Sequence, residues 1–402
     1  MAGDLGERLE RLKEARRKTG QETALSGSSP SKLGCRTGDP LIPGFTRIGS
    51  YTYKRDVSFQ PILPPSYERS YLASCKALGT DRLVFFDLET TGLSGGAGTF
   101  VFLAGFGRMK DRCFSVSQYF LSDYPGEREF LAFLRDELKE TASFGSSEAS
   151  VPDEREISGI LVSYNGKSFD IPVLRNRFLM SGSNLILPHH IDLLYPIRFL
   201  FRGTYPELSL GAVERCILKM ERGGDLPGAL VPGRYFSFLK GRDPAFLEEV
   251  FSHHIQDILS LCRIYAYLES VLADPESHPE VPRFPLGRLL YRHNRELGLS
   301  LIREAMDRGD TRAGLFVGRL YKKAEEWEEA FTIWKCLYTE RRSFLALVEM
   351  LKYLEHRLHD YRAALSLIEE GYTRLLPFEV EKREELNKRK ERIERKIKNM
   401  GL

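Results

Sequence analysis

Residues 85–93, FFDLETTGL, set Asp87 and Glu89 two positions apart, directly after the apolar run 82–86 (RLVFF). Side chains alternate along a strand, so the two carboxylates share one face of an otherwise buried strand. Such a pair repels and resists ionisation unless a divalent cation neutralises both at once. A D-x-E pair alone also fits a strand end whose side chains simply reach solvent. Two further segments add acids. Residues 163–170, SYNGKSFD, read as a strand, a turn and Asp170 at a helix start, where an aspartate also serves as an N-cap. Residues 253–261, HHIQDILSL, put His253 and Asp257 one turn apart on a shared helix face. Leu247, Val250, Ile258, Leu261 and Cys262 form the apolar stripe of that helix, and Asp257 also fits a surface acid near a core edge.

The elements that must carry these residues alternate. After the strand at 82–86 comes a glycine-rich turn at 92–98, a strand-like stretch at 99–107 and a period-two stretch at 114–120. Residues 127–139 space Phe130, Leu131, Phe133, Leu134 and Leu138 as a helix does. A Ser- and Glu-rich surface loop is expected at 141–156, then a strand at 160–164 and a helix starting near Ile171. Strands interleaved with helices, opening with consecutive hairpin strands, predict a mixed α/β sheet.

Beyond Glu269 the pattern changes. Prolines at 275, 279, 282 and 285 mark a linker, and the remainder reads as helix. An offset of 34 residues aligns Trp327 with Tyr361, Ala330 with Ala364 and Trp334 with Ile368. That period resembles tetratricopeptide repeats, whose relative positions Gly318, Tyr321 and Ala330 also match. Leu386, Ile393 and Met400 stand seven apart in a charged tail, as in a capping helix with one apolar stripe. The expected organisation is a flexible charged segment at 1–43, an extended lead-in at 44–77, an α/β domain at 78–270, a Pro-rich linker at 271–285 and an all-α helical-repeat domain at 286–402.

Composition bounds the reading. With 402 residues the chain suits two or three domains, and 42% hydrophobic against 29% charged residues is enough to bury proper cores. A net charge of +3 excludes a histone-like or polybasic protein. The six cysteines, at 35, 75, 113, 216, 262 and 336, form no C-x-x-C pair, which excludes a zinc ribbon or disulfide scaffold and fits a reducing cytoplasm. The apolar runs are too short for a bilayer, and the first twenty residues lack the apolar region of a signal peptide. A cytoplasmic protein with no membrane partner is the expectation.

Taken together, the string at Asp87 to Leu93, the Asn165 to Asp170 string and the helical Asp257 resemble the three motifs of the DEDD exonuclease superfamily. More narrowly, DLETTGLSGGAGTFVFLAGFG followed by SYNGKSFDIPVLRNRF looks like the YprB-type ribonuclease H-like domain, over roughly residues 78–270. LSLGAVE (208–214) and PGALVPGRYFSF (227–238) also fit that group. The resemblance implies a ribonuclease H-like mixed sheet with flanking helices and a metal-dependent 3′–5′ exonuclease acting on single-stranded or frayed nucleic acid. The alternative is a catalytically weak binding or scaffold protein acting through its helical repeats, with a protein partner there.

Four acids meeting in space, Asp87, Glu89, Asp170 and Asp257, offer only oxygen ligands, which suit Mg²⁺ or Mn²⁺ rather than Zn²⁺. Two ions roughly 3.5–4 Å apart would hold the attacking water and the leaving 3′-oxygen in line, with Asp87 bridging them. His253 is the expected base, because an imidazole titrates near neutral pH. The three residues between His253 and Asp257 match the tyrosine members of the superfamily rather than its histidine members. By resemblance, Thr90, Thr91, Gly92 and Leu93 lie beside the terminal nucleotide, and Asn165 belongs to the same substrate site. Lys167, Arg175 and Arg177 are placed to grip phosphates, Asp192 is a supporting acid, and His254, His189 and His190 are read as structural. Tyr205 and Tyr235 either stack on bases or pack in the core.

Overall fold

Among the described residues nine strands form two sheets. β1 (Thr46–Arg47) and β2 (Thr52–Phe59) precede a small separate hairpin of β3 (Ser66–Ser70) and β4 (Cys75–Gly79). Then follow β5 (Leu83–Thr90), β6 (Val101–Lys110), β7 (Cys113–Leu121), β8 (Ile160–Ser163) and β9 (His189–Asp192). The main sheet has seven strands in the order β1-β2-β7-β6-β5-β8-β9. β5 runs antiparallel to β6 and parallel to β8, which is parallel to β9. The computed structural model describes residues 42–92, 98–143, 159–223 and 226–400. Most of the expected charged segment 1–43, most of the loop at 141–156, and Leu93, Gly95 and Gly96 lie outside the described residues.

Both faces of the sheet are covered, which is why β5 opens with an unbroken apolar run, Leu83 to Phe86, rather than an alternating one. Val84, Phe86 and Leu88 face one core with Phe130 and Leu134 of α1 (Glu127–Ser143), Val173 and Leu174 of α2 (Asp170–Met180) and, further along the chain, Tyr235 and Phe238. Leu83 and Phe85 face the other core with Ile197 and Leu200 of α3 (Leu194–Phe201) and Val213 of α4 (Leu210–Cys216). Tyr235 and Phe238 belong to α5 (Val231–Gly241). The second face is closed by α6 (Glu248–Ala273), whose Ile258, Leu261, Cys262 and Tyr265 are all buried. Strand alternation carries the 83/85 face on to Asp87 and Glu89, so the carboxylates emerge on the side that α6 covers.

The lead-in at 44–77 is more than a covering segment. β2 pairs with β7 along its whole length, from Thr52 opposite Leu121 to Phe59 opposite Phe114, and so extends the sheet. Its alternation of Tyr53, Arg55, Val57 and Phe59 marks it as a strand, while the prolines that follow separate it from β3.

The C-terminal region is all helix, as expected: α7 (Arg283–Leu290), α8 (Arg295–Asp307), α9 (Thr311–Lys323), α10 (Trp327–Arg341), α11 (Phe344–Tyr353), α12 (Tyr361–Arg374) and α13 (Val380–Met400). α10 and α12 begin 34 residues apart, and Ala330, Ala364, Trp334 and Ile368 are buried in one shared core. Leu386 and Ile393 of α13 close that core. The stretch 271–285 is packed tightly: Val281 and Arg283 are buried, Arg283 donates to the Pro275 carbonyl, and Leu286, Leu290 and Leu301 join the core beneath the sheet. α7 and α8 are therefore built onto the sheet domain.

Candidate active site

β5 ends at a register shift between Glu89 and Thr90, opposite β6. Past it, Thr91 is held by two contacts with Phe100: its N–H donates to the Phe100 carbonyl and its hydroxyl accepts from the Phe100 N–H, both at 2.9 Å. The Thr90 hydroxyl donates to the Gly92 carbonyl at 2.9 Å. The turn beside the acids is thereby fixed by its own hydrogen bonds. Leu93 lies outside the described residues.

Asp87 is anchored from α6. The Gln118 carbonyl oxygen accepts from Arg55 at 3.0 Å, which turns its amide N–H groups toward the Phe251 carbonyl (3.0 Å) and His254 Nδ1 (2.9 Å). With Nδ1 accepting, the ring proton sits on Nε2, which donates to the Asp87 backbone carbonyl at 3.1 Å. Burial drives the His254 pKa down to about 3, so the ring is neutral. Gly105, opposite Asp87 on β6, makes room for this ring: a Cβ there would lie 2.5 Å from His254 Cε1 and collide with Ile258 Cδ1. The expectation that His254 is structural fits this geometry.

The second motif is a latch around Asp192. This buried carboxylate accepts from the N–H groups of Asn165 (2.7 Å), Lys167 (3.0 Å) and Leu194 (3.1 Å). It holds Asn165 at φ +62° and turns the chain so that Asp170 opens α2 at the edge of the acid cluster. Gly166 is required for close approach, since a Cβ there would meet the Ser163 hydroxyl and stand 3.1 Å from Asp170 Oδ2. Ser163 in turn bonds His190 Nε2 at 2.8 Å; burial lowers the pKa of that ring to about 4. Lys167 extends its ammonium over Tyr195, 5.6 Å from the ring centroid. Arg177, expected at phosphates, is buried instead, paired with Glu127 at 2.5 Å and stacked 3.9 Å over Phe100. Tyr235 is core, its hydroxyl donating to the Leu121 carbonyl.

The third motif arrives on α6. His253 Nε2 lies 3.3 Å from Asp257 Oδ2 and 4.0 Å from Glu89 Oε1, and one ligand atom from each of these three residues falls within 4.8 Å of the other two. Asp257 also accepts from Arg222 at 2.6 Å, and Arg222 reaches the buried Glu214 on α4 as well. Arg222 escaped sequence reasoning because it sits in an irregular stretch and its partners are on other elements. The signal for Glu214 was present in LSLGAVE, as an acid directly after the apolar pair Ala212 and Val213.

Electrostatics tests whether the site suits a metal. Burial, then the charges of Asp257, Asp170 and Glu89, push the Asp87 carboxyl well above the ordinary carboxylate range, against a smaller opposing effect of Arg222. Glu89 is driven the same way by burial, Asp257 and Asp170. Asp170 is pushed up to about 7, chiefly by burial. Asp257 is raised by burial, with His253 and Arg222 pulling it back. Among the described residues no lysine or arginine makes an ion pair with Asp87, Glu89 or Asp170. Carboxylates of one sign, Asp170 buried and Asp87, Glu89 and Asp257 half-buried, with so little counter-charge and with the His253 nitrogen beside two of them, fit a hard divalent cation.

A seven-stranded mixed sheet flanked by helices, with carboxylates converging beside its interior strand β5, defines a ribonuclease H-like nuclease domain. The family model described as the RNase_H superfamily matches residues 84–269. The chain is 32% identical over 343 residues to the uncharacterized protein YprB of Bacillus subtilis (strain 168), covering 81% of this chain and 78% of that protein. It belongs to this YprB-type family of ribonuclease H-like proteins. No helix among the described residues is long and apolar enough to cross a membrane.

Proposed function

We propose that this chain is a metal-dependent 3′–5′ exonuclease acting on single-stranded or frayed nucleic acid. The observation that carries the reading is the mutual proximity of Asp87, Glu89, Asp170 and Asp257, from three segments far apart in sequence, with His253 beside Glu89 and Asp257. These four acids would hold Mg²⁺ or Mn²⁺, two ions in the full reading, which would polarise the phosphate and activate water. His253 stands beside Glu89 and Asp257 to accept the proton of the attacking water. The water oxygen bonds to phosphorus, the bond from phosphorus to the preceding 3′-oxygen breaks, and that oxygen leaves with a proton. The products are a nucleoside 5′-monophosphate and a strand one residue shorter. Thr90 to Leu93, Asn165 and Lys167 are the proposed contacts of the terminal nucleotide.

The test uses 5′-labelled DNA and RNA oligonucleotides of matched sequence, with Mg²⁺, Mn²⁺ or EDTA. A ladder shortening from the 3′ end, dependent on metal and absent in Asp87→Asn, is expected. Metal-independent binding without turnover would overturn the reading in favour of a binding protein. The 34-residue register of α10 and α12 supports tetratricopeptide-like repeats that engage a protein partner, and the free cysteines among the described residues support a cytoplasmic location.

A further inference from the structure

A groove of about 1460 Å³ is lined by Asp87 and Asn165 of the site, by α3, and by Phe284 and Arg288 of α7. Small-ligand pockets run to about 300–1,000 Å³, so this one has the capacity for a chain rather than a single small molecule. Its cationic lining is concentrated on two helices and the end of one: Arg198 from α3, Arg202 just past the last residue of α3, and Arg288 from α7. All three are exposed, and among the described residues none is in an ion pair with a carboxylate. Arg312 also lines the groove but is committed to Asp310 at 2.7 Å. Outside the catalytic acids the lining sets one carboxylate, Glu207, against them.

Aromatic rings interleave with this charge. Tyr195 is 54% exposed and Phe199 41%, an unusual cost for two neighbouring positions of one short helix. The Arg288 guanidinium lies 5.6 Å over the Phe199 ring and 5.9 Å over Phe284, so the seam between α3 and α7 presents rings and a guanidinium plane together. Nucleic-acid bases stack on such surfaces whatever their sequence, while the arginines neutralise phosphates.

We infer that this groove is the track for the single-stranded part of the substrate behind its 3′ end, and that α7, the first helix of the C-terminal region, forms its far wall. The inference rests on the nuclease reading for the position of the 3′ end at Asp87. It gives the helical region a direct role in holding nucleic acid.

The experiment measures binding of a 5′-fluorescein, phosphorothioate-linked thymidine 20-mer to the full chain by anisotropy, in Mg²⁺ across a KCl series. Arg198→Gln/Arg288→Gln should weaken binding about tenfold or more and lower the slope of log affinity against log salt by about 1.4, two phosphate contacts at about 0.7 each. Arg198→Lys/Arg288→Lys should restore the slope. Lys139→Gln/Lys335→Gln, which removes two exposed charges outside the groove, should lose much less. Equal loss in the two Gln pairs, or wild-type affinity and slope in the first, overturns the track. Mononucleotide release by the wild-type protein from a phosphodiester strand is followed separately. Hydrolysis without groove dependence overturns this inference alone, and groove-dependent binding without hydrolysis overturns the nuclease reading alone.

Discussion

His254 Nε2 donates to the backbone carbonyl of Asp87 at 3.1 Å, tying the strand that carries Asp87 and Glu89 to the helix that brings Asp257. The ring is fully buried, and Gln118 fixes its tautomer. Its pKa of about 3 in the folded chain lies below the ordinary 6.5, so the unfolded chain binds the extra proton between those values. The stabilisation from neutral His254 is therefore complete above pH 6.5 and is lost as pH falls toward 3. Between pH 7 and pH 5, the unfolding free energy of the wild type minus that of His254→Gln should shrink by about 2 kcal/mol. Urea titrations at the two pH values measure it, and a constant difference would refute the buried neutral ring.

Gly105→Ala tests the same contact from the opposite strand. The added methyl would press on His254 and Ile258, both on α6 and both buried. Overpacking of this kind costs about 1–3 kcal/mol. Because α6 also carries His253 and Asp257, metal-dependent turnover should fall along with the urea midpoint. Unchanged turnover at reduced stability would mean that α6 yields without moving the acids.

Asp192 supports the site without belonging to the acid cluster. Its Oδ1 accepts from Asn165 and Leu194 and its Oδ2 from Lys167. An asparagine has one acceptor oxygen, so Asp192→Asn keeps the Oδ1 contacts and sets an amide N–H₂ against the Lys167 N–H. A stability loss of about 1–3 kcal/mol is expected from that unsatisfied donor. The turn leading to Asp170 should loosen, weakening Mn²⁺ binding by calorimetry. Wild-type Mn²⁺ affinity in this variant would remove Asp192 from the site's support.

How much of this was legible in the chain follows from the distances involved. Asp87 and Glu89 could be paired because strand alternation is local, and His253 with Asp257 because one helical turn joins them. The shared face of 83, 85, 87 and 89 followed from the same alternation. His254, Gln118 and Arg55 could not be joined, since Gln118 lies on a strand more than a hundred residues before α6 and no period links them. Arg177 looked like a free cation beside the second motif because its partner Glu127 sits on another helix. β2 was hidden by its neighbouring prolines, and the packing of 271–285 by composition, which reports turns but not what covers them.

Metal affinity should depend on pH in a definite sense. The folded pKa of Asp170, about 7, lies above the ordinary 3.8, so the metal-free fold loses stability as pH rises through that window. A bound cation needs the carboxylate ionised, so protons compete with it below about pH 7. The rise in Tm produced by Mn²⁺ should grow between pH 6 and pH 8 and vanish in Asp87→Asn. A pH-independent rise would place the ion elsewhere.

Arg222 is the protein's own counter-charge at the cluster, 2.6 Å from Asp257 and shared with Glu214. Glu214 is almost fully buried, so Arg222→Gln strands one carboxylate and removes relief from another. Breaking a buried pair in this way costs about 3–5 kcal/mol, and partial exposure of Arg222 places the expected loss toward the lower end. The metal-free variant should therefore melt well below the wild type. A divalent ion restores counter-charge only at Asp257 and its neighbours, so the Mn²⁺-induced rise in Tm should be larger in Arg222→Gln than in the wild type. Adding Asp257→Asn should cancel that extra rise, because the ligand released from the arginine is then gone. An equal rise in the variant and the wild type would mean that Arg222 and the cation do not compete for Asp257.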